Sequence, residues 1–165
     1  MAEQELRDKL ITYLTDVHST EQNAVAQLKT GVEEAGDQAL KDAFREHLAE
    51  TEQQERLIRE RLESYGETPS ALKDLAQKGG ALLSGTLAKS AEDTTGKLAI
   101  QAYAFEHLEI ASYRMLAVVA EQAGDQDTLQ VARQILEQER HAAQRLDGLL
   151  EQVADFDLHA IGAAS

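Results

Sequence analysis

Ala35-Gly36-Asp37-Gln38 returns as Ala123-Gly124-Asp125-Gln126, 88 residues later, and the reading of this doubled tetrapeptide decides the fold. Glycine stops a helix and the aspartate after it caps the next one, so each copy is the turn of a helical hairpin. The same offset carries Leu28 onto Leu116 and Glu21 onto Glu109. One extra residue after the second turn makes it 89, which carries Leu40 onto Leu129, Glu50 onto Glu139, and Arg56-Leu57 onto Arg145-Leu146. The chain is therefore read as a duplicated helical hairpin.

Outward from the turns, apolar residues recur at threes and fours. A first helix is expected from Ala2 to Ala35 and a second from Asp37 to Tyr65, stopped by Gly66. A third runs from Lys97 to Ala123 and a fourth from Asp125 to Val153. Between Gly66 and Gly96 the composition changes to Pro69, Gly79-Gly80, Gly85 and Ser/Thr clusters around short helical segments, Leu72 to Leu75 and Ala81 to Leu87. A helix of about 30 residues is roughly 45 Å long, so this connector can return along the whole bundle. Helices two and three then run parallel, which is the single-crossover, ferritin-like topology of an all-α four-helix bundle. The expected domain is 1–155, with the crossover at 66–96 and a loosely held tail at 156–165.

Composition sets outer bounds. The 165 residues suffice for one domain with a core, and a single proline with 4% aromatic residues favours helix. A formal charge of -14 argues against a nucleic-acid partner and against a DNA-coating mini-ferritin. No stretch is apolar enough to span a bilayer, and Met1 to Leu10 lack the pattern of a signal peptide, so a soluble, cytoplasmic protein without membrane contact is expected. With no cysteine, any metal must use oxygen and nitrogen ligands.

The duplicated glutamates fall where apolar side chains belong. Glu21 has Leu14, Val17, Val25 and Leu28 on its own face, Glu109 has Ala102, Phe105, Tyr113 and Leu116, and Glu139 has Ala132, Ile135, Ala143 and Leu146. Glu50, among Ala43, Glu46, Gln54 and Leu57, rests on the repeat. One matched glutamate per helix is the ligand arrangement of carboxylate-bridged dinuclear sites in bundles. Unpaired buried carboxylates are very costly, and metal ions supply the missing positive charge.

Four strings carry a family resemblance: Asp16-Val17-His18-Ser19-Thr20-Glu21, His47-Leu48-Ala49-Glu50-Thr51, Phe105-Glu106-His107-Leu108-Glu109-Ile110-Ala111-Ser112-Tyr113, and Leu136-Glu137-Gln138-Glu139-Arg140. The chain resembles the YciE/YciF-type ferritin-like proteins and, more distantly, rubrerythrin. The resemblance implies a dinuclear iron or manganese centre, a homodimer and an association with stress responses.

One departure is informative. A Glu-x-x-His pair is expected on helices two and four of a ferritin-like site, but Gln53 follows Glu50 and Ala142 follows Glu139 at that spacing. Instead His47 precedes Glu50, and Glu106 precedes Glu109, by three residues. On parallel helices those positions share one level, where the other two helices carry the small Ala24 and Ala142. Glu106 is thus a candidate ligand, and His47 a ligand or a donor to one. His18, the repeat partner of Glu106, either approaches the centre from the other side or holds a boundary position, and Tyr113 is either core or a catalytic hydroxyl beside the ligands.

The candidate set is Glu21, Glu50, Glu106, Glu109, Glu139 and His47, with Tyr113. Five glutamates give -5 and two divalent ions +4, a balance that favours two ions over one. Oxygen-rich ligation suits Fe(II) or Mn(II), and ions roughly 3.5–4 Å apart can both touch O2 or hydrogen peroxide. Ferrous oxidation, peroxide reduction and manganese-type disproportionation all remain open. The rival from another class is a metal-free helical interaction protein with an acidic surface.

Overall fold

The computed structural model describes residues 2–67 and 94–163. Among these the chain forms α1 (Ala2–Glu34), α2 (Gln38–Ser64), α3 (Thr94–Ala123), α4 (Gln126–Asp147) and α5 (Leu150–Ala160), and no strand. Both duplicated aspartates cap as their position demands: Asp37 accepts from the Leu40 amide at 2.8 Å and Asp125 from the Thr128 amide at 3.0 Å. The glycines before them diverge. Gly124 is left-handed, φ 72°, and Asp125 N–H closes the turn on Ala120 C=O at 3.0 Å. Gly36 is not left-handed; a Cβ there would stand 2.7 Å from the Phe156 ring, which would have to shift to admit it.

Two apolar clusters fix the topology. One joins Leu10, Leu14 and Val17 of α1 to Ile58 and Leu62 of α2, Tyr113 and Leu116 of α3, and Leu129 and Ile135 of α4. The other joins Leu28 of α1 to Leu40 and Phe44 of α2, Ala99 of α3, Leu146, and Val153 of α5. Hence α1 and α2 are antiparallel, as are α3 and α4, while α2 and α3 run parallel. The end of α2 and the start of α3 lie at opposite ends of the bundle, giving the expected single-crossover order. From residue 68 to 93 the connector, with its expected short helices, lies outside the described residues.

Two boundaries differ from expectation. The third helix starts three residues early, at Thr94, where Thr95 Oγ1 accepts from the Gly36 amide at 3.1 Å. The fourth is broken at Gly148, whose amide closes on Gln144 C=O at 3.1 Å. Beyond it, α5 crosses the expected tail boundary at 155/156, and that segment is not loose as far as Ala160. Val153 is buried, Gln152 donates to Asp37 at 3.0 Å, and Asp157 accepts from the Gly96 amide at 2.8 Å. This docking had no local signal, because its contacts, apolar at Val153 and Phe156 and polar at Gln152 and Asp157, reach residues far away in the chain.

Every main helix passes from one cluster to the other through a single polar layer. That layer takes Glu21 from α1, His47 and Gln54 from α2, Glu106 and Glu109 from α3, and Glu139 from α4. No helix of the described residues is long and apolar enough to cross a membrane.

Candidate metal centre

The polar layer is buried. Glu21, Glu106, Glu109 and Glu139 are each no more than 2% exposed. His47, Glu106, Glu109 and Glu139 each offer a ligand atom within 4.8 Å of the others. Glu21 lies outside that set, its Oε1 accepting a short hydrogen bond from the Tyr113 hydroxyl, with both residues fully buried.

What decides the character of the site is what these atoms fail to bond. Glu21 Oε2, His47 Nε2, Gln54 Oε1, Glu106 Oε2, Glu109 Oε1 and Glu139 Oε2 are all buried without a hydrogen-bond partner. His47 Nε2 stands 3.1 Å from Glu106 and 3.5 Å from Glu139, yet neither approach has hydrogen-bond direction. Buried polar atoms are almost always paired. Orphans gathered from four helices, with hard oxygen donors and one imidazole, fit a divalent cation of the iron or manganese type.

Electrostatics point the same way. Burial raises the Glu21 carboxyl to about 8 despite the Tyr113 hydrogen bond. Glu139 rises to about 9, again by burial first and then by Glu106 and Glu21. Burial, followed by repulsion from Glu139, Glu21 and Glu106, pushes Glu109 well above the carboxylate range. Burial works against the His47 imidazolium, but Glu106, Glu50 and Glu139 outweigh it and raise His47 to about 10. Such large upward shifts gathered in one buried layer point to a candidate functional site.

Of the candidate set the structure brings Glu21, Glu106, Glu109, Glu139 and His47 into the layer, with Tyr113 bonded to Glu21. It does not bring in Glu50, which the repeat had placed inward beside Glu139: its side chain is 51% exposed and meets only the outer edge of His47, Oε2 to Nδ1 at 3.3 Å. The reason is rotation. The buried residues of α2 centre on His47, Thr51, Gln54 and Ile58, and at 3.6 residues per turn Glu50 falls about 60° to one side. Gln54 takes the inward place instead, donating to Glu139 Oε1 at 2.5 Å and to Gln138 at 3.2 Å. His18 is buried but paired with Glu55 at 2.9 Å, a partner with no signal in the sequence because it belongs to another helix.

Two openings reach the layer from opposite sides. Between α2 and α4, a cavity of about 230 Å³ has His47 and Ala142 within and Glu46, Glu50, His141 and Arg145 around it. Between α1 and α3, one of about 240 Å³ is lined by Ala24, Leu28, Phe44, Ala102 and Phe105 and reaches Glu106. The alanines expected to leave room at this level do so.

Comparison with known proteins places the fold and the family. Protein YciF of Escherichia coli (strain K12) is 28% identical over 141 residues, which cover 82% of this chain and 84% of that protein. The crystal structure of that E. coli stress protein superposes with a TM-score of 0.69, covering 90% of this chain and 96% of that one at 26% identity. A Xanthomonas campestris pv. campestris protein superposes with a TM-score of 0.79 at 28% identity, covering 95% and 98%. The dodecameric thioferritin of Bacteroides fragilis shares the fold, with a TM-score of 0.73 at 22% identity over 93% and 94%. The family described as "Domain of unknown function (DUF892)" matches residues 5–158, and with a match across nearly its whole length the chain belongs to that family, the YciE/YciF type of ferritin-like bundle.

Proposed function

We propose that this protein holds two iron or manganese ions in the polar layer and uses them in an oxidative, stress-associated reaction with O2 or hydrogen peroxide. The observation that carries the reading is the group of six buried, unpartnered polar atoms contributed by four helices. Glu21, Glu106, Glu109, Glu139 and His47 are the proposed ligands. With Glu50 outside, four buried carboxylates give -4 and a neutral imidazole adds nothing, so two divalent ions cancel the layer's charge. Fe(II) or Mn(II) bound there supplies electron transfer to an oxygen substrate.

The protein's own groups then have separable tasks. Tyr113 fixes one oxygen of Glu21, which leaves the other to the centre, and stands as a buried proton donor beside it. Gln54 holds Glu139 Oε1, and Glu50 orients His47 from outside by accepting at Nδ1. The two leucine-rich clusters above and below keep water out. A second copy of this chain is the proposed partner, since Ile100, Leu108, Met115 and Val118 lie exposed along one side of α3. The stress role rests on the relative described as a stress protein.

Anaerobic loading of the metal-free protein with Fe(II), a count of bound ions, and optical monitoring on adding O2 or peroxide test the proposal. Two ions per chain and an oxidation abolished in Glu109→Ala are expected. One ion, or melting unaffected by chelators, would falsify it and favour the metal-free interaction protein.

A further inference from the structure

The sequence repeat provides an internal control for the α1–α3 interface. At the far end of the bundle that interface is filled: Leu14 of α1, fully buried, packs with Tyr113, Leu116 and Val119 of α3. At the near end the repeat mates of those positions are cut back. Offset by 88, Leu14 corresponds to Ala102 and Val119 to Gly31, while Leu28 still matches Leu116. The ring of Phe44 covers Gly31. Among the described residues none replaces the missing side chain at Ala102, and the cavity of about 240 Å³ opens there. The cavity is about half open to solvent, so the cut-back leaves an apolar recess in the α1–α3 interface, and the other half of the same chain shows which residue fills the equivalent place.

The lining is unlike the rest of the surface. The chain is 28% charged, yet among the described residues around this cavity Glu106 is the only charged one. Ala24, Leu28, Leu98, Ala102 and Phe105 form the walls, and Gln27 and Gln101 add neutral polarity. The opening between α2 and α4, by contrast, is bordered by Glu46, Glu50, His141 and Arg145. The two routes to the layer therefore differ in chemistry, one bordered by charge and the other nearly free of it.

We infer that the α1–α3 cavity is a binding site for a small, uncharged, ring-containing organic molecule, seated between Leu28, Ala102 and Phe105 with one edge against Glu106. An enclosed cavity of about 150 Å³ lined by aliphatic and aromatic side chains accepts benzene, and this half-open one of about 240 Å³ has room for one or two fused rings. The site deepens the proposed function by giving the class of molecule brought beside the centre, but its occupation needs no metal, and the two are tested apart.

Indole is a suitable probe, titrated calorimetrically into the full-length, metal-free protein. One saturable site per chain is expected. Ala102→Leu installs the side chain its repeat mate already carries, and should raise the melting temperature while weakening indole binding at least tenfold. Ala26→Trp, at an exposed position on the rim, should weaken it similarly without touching the core. Absence of saturable binding, or equal affinity in both variants, overturns the inference. Ions counted per chain in the same preparations report on the metal reading alone, so a failure of either leaves the other legible.

Discussion

The Tyr113 hydroxyl of α3 donates to Glu21 Oε1 of α1 where neither residue has any exposed surface, and this bond ties the two halves of the repeat together at the polar layer. Burial, then the Glu21 charge, holds the Tyr113 phenol well above its ordinary range, so it remains a donor at every physiological pH. Tyr113→Phe should leave the metal count at saturation unchanged while slowing oxidation at least tenfold. Single-turnover spectroscopy after an ion count separates the two effects.

Removal of metal should make stability depend steeply on pH. The folded carboxyls of Glu21 and Glu139, near 8 and 9, lie above their ordinary value of 4.5, so the folded chain keeps protons that the unfolded chain has lost. Their contribution is complete below about pH 4.5 and is lost as pH rises through 8 to 9. His47, raised from 6.5 to about 10, loses its contribution in the same direction. Urea midpoints of the metal-free protein should therefore fall from pH 5 to pH 9, and Glu139→Gln should flatten the decline. Saturating Mn(II) should reverse it, because ions bind the ionised ligands.

Glu50 and Glu109 stand together in the candidate set, but the fold makes them unequal. Glu109 is buried with an orphaned oxygen, whereas Glu50 is half-exposed and meets His47 from outside the layer. Glu109→Ala should abolish the two-ion site. Glu50→Ala, which removes an outer partner, should lower Mn(II) affinity only about tenfold. Equilibrium dialysis distinguishes them.

Asp125 is the hub of a polar knot at the other end of the bundle. It caps α4, accepts from Arg61 at 3.0 Å and from Tyr65 at 2.6 Å, and is bonded by the Thr128 hydroxyl. Although burial opposes ionisation, these partners hold its carboxyl down to about 2. The resulting stability is present above about pH 3.8 and disappears as pH falls through 2. Asp125→Ala should cost about 2 kcal/mol at neutral pH, a cap and several bonds to charged groups lost together. Its acid unfolding should lose the corresponding step, measurable by circular dichroism.

The fold was legible because it was written twice: two Gly-Asp turns, two capped hairpins and one long connector leave few topologies. The four glutamates of the layer were legible through the apolar residues around them and, for Glu106, through its shared level with His47. Glu50 misled because a repeat conserves spacing but not rotation, and one turn of helix separates an inward residue from a flanking one. Gln54 could be seen in the α2 stripe, yet its bond to Glu139 depends on a neighbouring helix. The partnership of His18 with Glu55 and the docking of α5 had no local signature, since both depend on residues far apart in the chain.

The clasp between the first turn and the last helix has a consequence for how the molecule comes apart. Phe156 rests on Gly36, and Gln152 bonds Asp37 across a separation of 115 residues. Neither copy can leave the other without also releasing the C-terminal segment. Such far-reaching contacts raise contact order and slow folding. The halves should therefore melt as one cooperative unit, and an isolated 1–67 fragment should remain largely unstructured despite carrying one whole hairpin of the repeat.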